Sequence, residues 1–321
     1  MAKQKKIASI SLDLDNQWSY MKIHGDEGWD KYPSYFSIFV PHVLDVLDEL
    51  NLKITFFIVG KDTESGDNCR YLKMIADHGH EVGNHSYHHE SWLQTYSYEK
   101  IDKEIQDAEE AIKMATGKRP TGFRGPGFSW SVDLLRVLEK RGYDFDASTL
   151  PTYLGPLARM YYFKKSDLSK EEKKARKELF GKFSEGFRKL KPYKWDLGNN
   201  KTITEIPVTT MPVFKLPFHL SYLIYIGNIS KGLMKLYLNT AITLCKITNT
   251  PISFLLHPLD LIGGDQITKL AFFPGMNVVS SKKVEIFKEV ITCINRHYQL
   301  VSMGNHFNYI ATHSTLKEVK P

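Results

Sequence analysis

Apolar residues in the first half of the chain alternate between strand-like runs and helical stripes. Ile7–Leu14 predicts a strand, and Phe39, Val43, Val46, Leu47 and Leu50 recur at helical spacing within Phe36–Leu50. Lys53–Gly60 is β-branched and aromatic and closes on Gly60, which suits a buried strand. A short helix over Arg70–His78 and a strand entered at Glu81–His85 follow. Tyr98–Thr116 carries Ile101, Ile105, Ala108, Ile112 and Ala115 on one stripe and ends at Gly117 and Pro120, which predicts a helix. Thr121–Arg124, a helix over Val132–Arg141 and Tyr143–Ala147 continue the alternation. Such a rhythm implies parallel strands in an α/β barrel or a doubly wound sheet.

The rhythm breaks between Pro151 and Asn200. It resumes with strands at Thr202–Val208, Ile252–His257 and Tyr298–Met303, and helices over Gly232–Ile247 and Lys282–Arg296. One domain over residues 1–321 is the economical organisation. Residues 151–201 form an insertion, with 209–250 as a further candidate part of a lid or membrane-docking element.

At 321 residues and 42% hydrophobic, the chain can bury a substantial core. Three cysteines, Cys69, Cys245 and Cys293, are too few and too scattered for a disulfide framework, which fits a reducing compartment. The basic start at Lys3–Lys6 is followed by an apolar stretch interrupted by Ser9, Ser11 and Asp13, so a signal-peptide core is not expected there. The expected location is cytoplasmic. The net charge of +7 is local: Lys164–Lys194 holds twelve Lys/Arg against five Asp/Glu, and 12 − 5 equals the whole excess. A body without net charge argues against nucleic-acid binding.

Two short segments fit one metal site. In Ser11-Leu12-Asp13-Leu14-Asp15, residues two apart on a strand point to one face, so both carboxylates emerge together at its C-terminal end. In His85-Ser86-Tyr87-His88-His89, imidazoles four apart can address one ion, and only spacing prefers His89 over His88 as the partner of His85. Arg124-Gly125-Pro126-Gly127 ends the next strand. An arginine there can keep a carboxylate ionised, and the glycines allow a backbone N–H, such as that of Gly127, to approach a ligand. Asp146 closes the following strand as a candidate substrate-binding or orienting group. His257 ends Ile-Ser-Phe-Leu-Leu-His at the same end of the sheet, where barrel enzymes keep their functional groups. Asp/His₂ ligation suits Zn²⁺ best, with Co²⁺, Mn²⁺ and Ni²⁺ also acceptable.

The order Asp-x-Asp, His-Ser-x-x-His, Arg-x-Pro-Gly and Leu-x-His resembles the NodB-type polysaccharide deacetylases (carbohydrate esterase family 4), over residues 7–150 and 202–305. The resemblance implies a distorted (β/α) barrel and hydrolysis of the N-acetyl amide of an amino sugar or glycan. It implies a metal held by Asp15, His85 and His89, with Asp13 as general base, Arg124 steering that base and His257 as general acid. The family's Asp-x-x-Trp segment has no match, because Asp146-Ala-Ser-Thr lacks the tryptophan.

Phe180, Phe183, Phe187 and Leu190, with Lys182, Arg188 and Lys189 between them, predict a basic amphipathic helix in the insertion, suited to an anionic membrane surface or to packing on the barrel. Pro217–Ile229 is apolar enough to line an acyl or prenyl groove. The expected substrate is therefore an N-acetylated amino sugar, with a lipid-linked form at the inner membrane face included. A deformylase of a lipid-linked amino sugar, a small-amide amidohydrolase and an inactive carbohydrate- or lipid-binding module are the alternatives.

Overall fold

The computed structural model describes residues 6–154 and 183–321. Strand β1 (Lys6–Leu14) shows why the fold closes as it does. Ala8, Ile10, Leu12 and Leu14 enter the main apolar core, while Ser9, Ser11 and Asp13 project to the opposite face and meet polar partners. Parallel to β1 on one side runs β2 (Thr55–Ile58), followed by β3 (Glu81–Asn84), β4 (Gly122–Phe123), β5 (Phe145–Asp146) and β7 (Thr202–Glu205). On the other side of β1 lies β8 (Ile252–Leu256). Beyond β7 the chain reaches β8, where Thr209 N–H donates to Ser253 O at 3.0 Å and Ser253 N–H to Thr209 Oγ1 at 2.8 Å. The result is a distorted (β/α) barrel.

Helices α1 (Gln17–His24), α2 (Phe36–Glu49), α3 (Gly66–Asp77), α4 (Tyr98–Thr116) and α5 (Val132–Lys140) lie in the loops that follow the first strands. The later half adds α6 (Leu220–Ile229), α7 (Lys231–Ile247), α8 (Ser280–Asn295), β9 (Tyr298–Val301) and α9 (Met303–His313). Strand β9 pairs with Lys6–Ser9 of β1, and α9 then plugs the N-terminal end of the barrel. Met303 and Ile310 pack with Phe57, Phe145, Ala147 and Ile206, and His306 Nδ1 lies 2.8 Å from Ser9 Oγ. The opposite, C-terminal end stays open for chemistry.

Most periodic segments fold as expected, and Tyr98–Thr116 does so residue for residue between N-cap Ser97 and Gly117. The departures have physical causes. Helix α1 lacks an apolar period and starts from Asn16, whose side chain accepts the Gln17 N–H. The expected strand over Tyr298–Met303 stops at Val301, because Ser302 caps α9. Within the expected break, β6 (Tyr193–Asp196) pairs antiparallel to β7, and β10 (Glu318–Val319) extends it. The basic helix expected from Phe180 to Leu190 lies partly outside the described residues. Its described part is one short turn, Phe183–Phe187, rather than a helix reaching Leu190. Gly186 sits where a Cβ would meet the Tyr153 ring, and the chain must extend to enter β6. Among the described residues, no helix is long and apolar enough to cross a membrane.

Candidate active site

The open end of the barrel gathers Asp13 from β1, Asp15 just beyond it, His85 and His89 from the turn after β3, Arg124 just after β4 and His257 just after β8. The His85–His89 segment is held by its surroundings. Ser86 and His89 adopt positive φ, and Glu104 of α4 accepts hydrogen bonds from Tyr87 N–H at 2.9 Å and His88 N–H at 2.6 Å. Its other oxygen lies 2.8 Å from His88 Nδ1, which draws His88 away from the site. Spacing alone prefers His89 over His88 as the partner of His85; the structure turns His89 inward.

Asp15, His85 and His89 each offer a ligand atom, and these atoms all lie within 4.8 Å of one another. Asp15 Oδ1 is 2.8 Å from His89 Nε2 and 3.7 Å from His85 Nε2. His85 Nδ1 lies 2.6 Å from the Arg124 carbonyl, so its N–H points there and Nε2 keeps its lone pair for the cluster. Burial holds His85 below the ordinary imidazole value, in the neutral state a ligand needs. Burial alone would raise the Asp15 carboxyl, but His89 and then His85 outweigh it and bring it to about 2. Asp15 Oδ1 is buried with no aligned hydrogen-bond donor. A buried carboxylate oxygen facing two imidazole nitrogens fits a divalent cation.

Asp13 lies beside this cluster. Its Oδ1 accepts from Arg124 Nη1 at 2.8 Å, and its Oδ2 is 4.0 Å from His257 Nε2. Arg124 is fully buried, donates also to Ser11 Oγ and the Ala147 carbonyl, and lies over the Phe57 ring. On the far side of His257, Asp260 Oδ2 accepts the His257 backbone N–H at 2.9 Å and lies 3.8 Å from Nδ1. Burial opposes charging His257, but Asp260 and then Asp13 and Asp15 outweigh it and raise the imidazole to about 9. Asp13 and an imidazole whose charged form its surroundings favour thus face each other beside a metal-type cluster.

Gly127, at φ +60°, lines the cavity. Gly125 allows no side chain, since a Cβ there would lie 1.9 Å from the Ser129 carbonyl. Asp146, expected to bind substrate, is fully buried and is not in the cavity wall. Its register partner on β7 is Glu205, and burial raises both carboxyls, Asp146 to about 6 and Glu205 well above its ordinary value. Asp146 reaches the site through Ser148, whose Oγ also accepts the Gly125 N–H at 2.8 Å, and through the nearby charge of Arg124.

Several site residues carried no sequence signal. Glu104 and Asp260 each lie next to recognisable motifs only in space or across a single turn. Trp18 stands edge-on to His89 and donates to Asp62, which burial raises to about 7. The cavity itself is about 350 Å³, and Tyr20, Ile23, Phe128, Ile224, Leu259 and Phe273 make much of its wall apolar. Ser221 and Ile224 come from α6, so the apolar stretch at 217–229 does reach the site.

Residues 26–145 match the family model described as polysaccharide deacetylase, a span that holds His85, His89, Arg124 and Gly127. A peptidoglycan deacetylase of Helicobacter pylori is 32% identical over 171 residues, covering 52% of this chain and 56% of the relative. The Bacillus subtilis peptidoglycan-N-acetylmuramic acid deacetylase PdaA is 33% identical over 110 residues, covering 34% and 41% respectively. The chain thus spans about half the length of these curated relatives. A solved structure from Mycobacterium smegmatis, described as a polysaccharide deacetylase, superposes with a TM-score of 0.62 over 100% of this chain and 96% of its own, at 18% identity. That likeness concerns the fold.

Proposed function

We propose, from the premise that this chain belongs to the NodB-type polysaccharide deacetylases, that it is a metal-dependent hydrolase removing the N-acetyl group from an amino sugar. The observation that carries this reading is the convergence of Asp15, His85 and His89 on one point, with Asp13 and His257 on the same cavity. Asp/His₂ donors favour Zn²⁺, with Co²⁺, Mn²⁺ or Ni²⁺ acceptable. When bound, such a cation lowers the pKa of a coordinated water from 15.7 towards about 7 and polarises the amide carbonyl.

The remaining work falls to the chain. Asp13 Oδ2 takes the proton from the attacking water, because Arg124 occupies Oδ1 and leaves Oδ2 on the side of His257. Water adds to the carbonyl carbon, and the amide C–N bond then breaks. His257 Nε2 delivers a proton to the departing nitrogen, which leaves badly as an anion, and acetate and the free amine result. Asp260 keeps His257 charged and oriented for that donation.

The apolar cavity wall favours a finer reading, an amino sugar carried on a hydrophobic group, such as a lipid-linked sugar at the cytoplasmic membrane face. The three unpaired cysteines suit that compartment. The test is acetate release from N-acetylglucosamine as the free sugar, as chitooligosaccharide and as an alkyl glycoside, before and after chelation. Zinc-restored release sustains the reading, and preference for the alkyl glycoside supports the finer form. No release from any of the three, with metal bound, would sink it.

A further inference from the structure

The turn that carries His257 and Asp260 is held from outside by one helix. Leu259, Asp260, Leu261 and Ile262 are all buried. Within the turn, the Asp260 N–H donates to His257 O at 3.0 Å, and the N–H groups of Leu261 and Ile262 donate to Pro258 O at 2.9 and 3.1 Å. These bonds use the first two carbonyls and leave those of Leu259, Leu261 and Ile262 for donors elsewhere. A buried carbonyl without a donor is costly. Helix α8 supplies all three donors. Ser280 Oγ donates to Leu261 O at 2.7 Å, and Lys283 Nζ donates to Leu259 O at 2.6 Å and to Ile262 O at 2.8 Å. Three residues apart, Ser280 and Lys283 share one helix face. In return Asp265 Oδ1 accepts the Ser280 N–H at 3.1 Å, which ties the start of α8 to the same loop.

A lysine is costly in this place. Lys283 is 1% exposed and borders the catalytic cavity, yet among the described residues it forms no ion pair. Asp260 and Asp265 favour its charge only through space, and burial lowers the amine to about 8. Met276 Sδ, 3.6 Å from Nζ, is a weak acceptor. A methionine would fill much the same volume with no charge to desolvate. What it would lack is the double grip on the turn that begins at His257. The His257 ring lies 3.8 Å from Asp260 Oδ2 and 4.0 Å from Asp13 Oδ2, too far for either to fix it by a direct bond. Its place therefore depends on the backbone of the turn. We propose that Lys283, with Ser280 beside it, is a positioning residue for proton donation, which sets where His257 Nε2 stands relative to Asp13 and the metal-type cluster. Displacing a reacting group by about 1 Å can cost about 10²-fold in rate.

The proposal rests on the deacetylase reading, in which His257 protonates the departing nitrogen. Zinc-loaded wild type and Lys283→Met are compared on an alkyl glycoside of N-acetylglucosamine and on 4-nitrophenyl acetate, whose phenolate leaves without a proton. On the amide, kcat should fall about 10–100-fold with KM unchanged. On the ester the two proteins should match, and their zinc content should be equal. Hydrogen exchange at the amides of Asp260, Leu261 and Ile262 should be faster in the variant. If Lys283→Met does not fold, Ser280→Ala, which removes one of the three bonds, should give a smaller loss of the same pattern. Equal losses on amide and ester overturn the proposal, because the lysine then supports the whole cavity. A raised KM with kcat unchanged also overturns it and makes Lys283 a substrate contact, and so does unchanged exchange in the turn. A zinc-loaded wild type that releases no acetate from the sugar fails the deacetylase reading instead, and the exchange rates then decide whether Lys283 holds the turn.

Discussion

Arg124 Nη1 lies 2.8 Å from Asp13 Oδ1 inside the barrel, where Arg124 is fully buried and Asp13 borders the cavity. The arginine comes from β4 and the aspartate from β1, so this pair ties two non-adjacent strands across the lumen. Its strength is asymmetric. Breaking a buried pair from one side leaves a charge without compensation, which costs about 3–5 kcal/mol. Arg124→Met should therefore lower the unfolding free energy, measured by denaturant titration, by that order, beyond what its lost packing on Phe57 explains. Asp13→Asn, which keeps an acceptor for the guanidinium, should cost less. Equal losses in the two variants would show that the asparagine amide does not replace the carboxylate as the partner of the guanidinium.

The metal ligands separate from the base by what each variant loses. His85→Ala and His89→Ala should each abolish stoichiometric zinc measured by elemental analysis, while His88→Ala, whose ring faces Glu104, should retain it. Asp15→Asn should weaken metal binding. Asp13→Asn should keep the metal and lose turnover by about 10²–10⁴-fold, the range for lost acid–base catalysis. Metal retained in Asp15→Asn and lost in Asp13→Asn would exchange the two roles.

Glu104 touches neither substrate nor ion, yet it fixes the backbone of the ligand turn through Tyr87 N–H and His88 N–H. Outer-shell partners of this kind are worth about 10–100-fold in metal affinity. Competition against a chromogenic chelator should show that loss in Glu104→Ala, with partial recovery in Glu104→Gln, whose carbonyl still accepts. Unchanged affinity in Glu104→Ala would mean that the turn is set by its own backbone.

Much of this arrangement was legible because strands and helices write their periods into the chain. The Ser9, Ser11, Asp13 alternation against Ile10, Leu12, Leu14 already stated which face of β1 enters the lumen. Parallel strands then placed His85, Arg124 and His257 at one end. What stayed hidden depends on contacts between distant segments. Glu104 reads as one more polar residue on α4, and only the fold brings it under the histidine turn. Asp146 ends a strand as its neighbours do, but its register opposite Glu205 and its bond to Ser148 bury it behind the Gly125 loop. Helix α6 is apolar on most sides, so no stripe in its sequence separated the cavity face from the exposed one.

The last expectation concerns pH and the partner of His257. An imidazole raised to about 9 in the folded protein remains protonated, and able to serve as the acid, until pH climbs through that value. The same shift contributes stability that is fully present below the unfolded value near 6.5 and is lost as pH rises through about 9. The alkaline limb of kcat/KM should therefore fall near pH 9 in the wild type. In Asp260→Asn the main carboxylate behind the ring is gone, so the limb should move towards lower pH while zinc content stays the same. His257→Gln should remove that limb and lower kcat at every pH. A limb that stays in place in Asp260→Asn would assign it to another group and leave Asp260 as the cap of the turn after β8, a role its bond to the His257 N–H already supports.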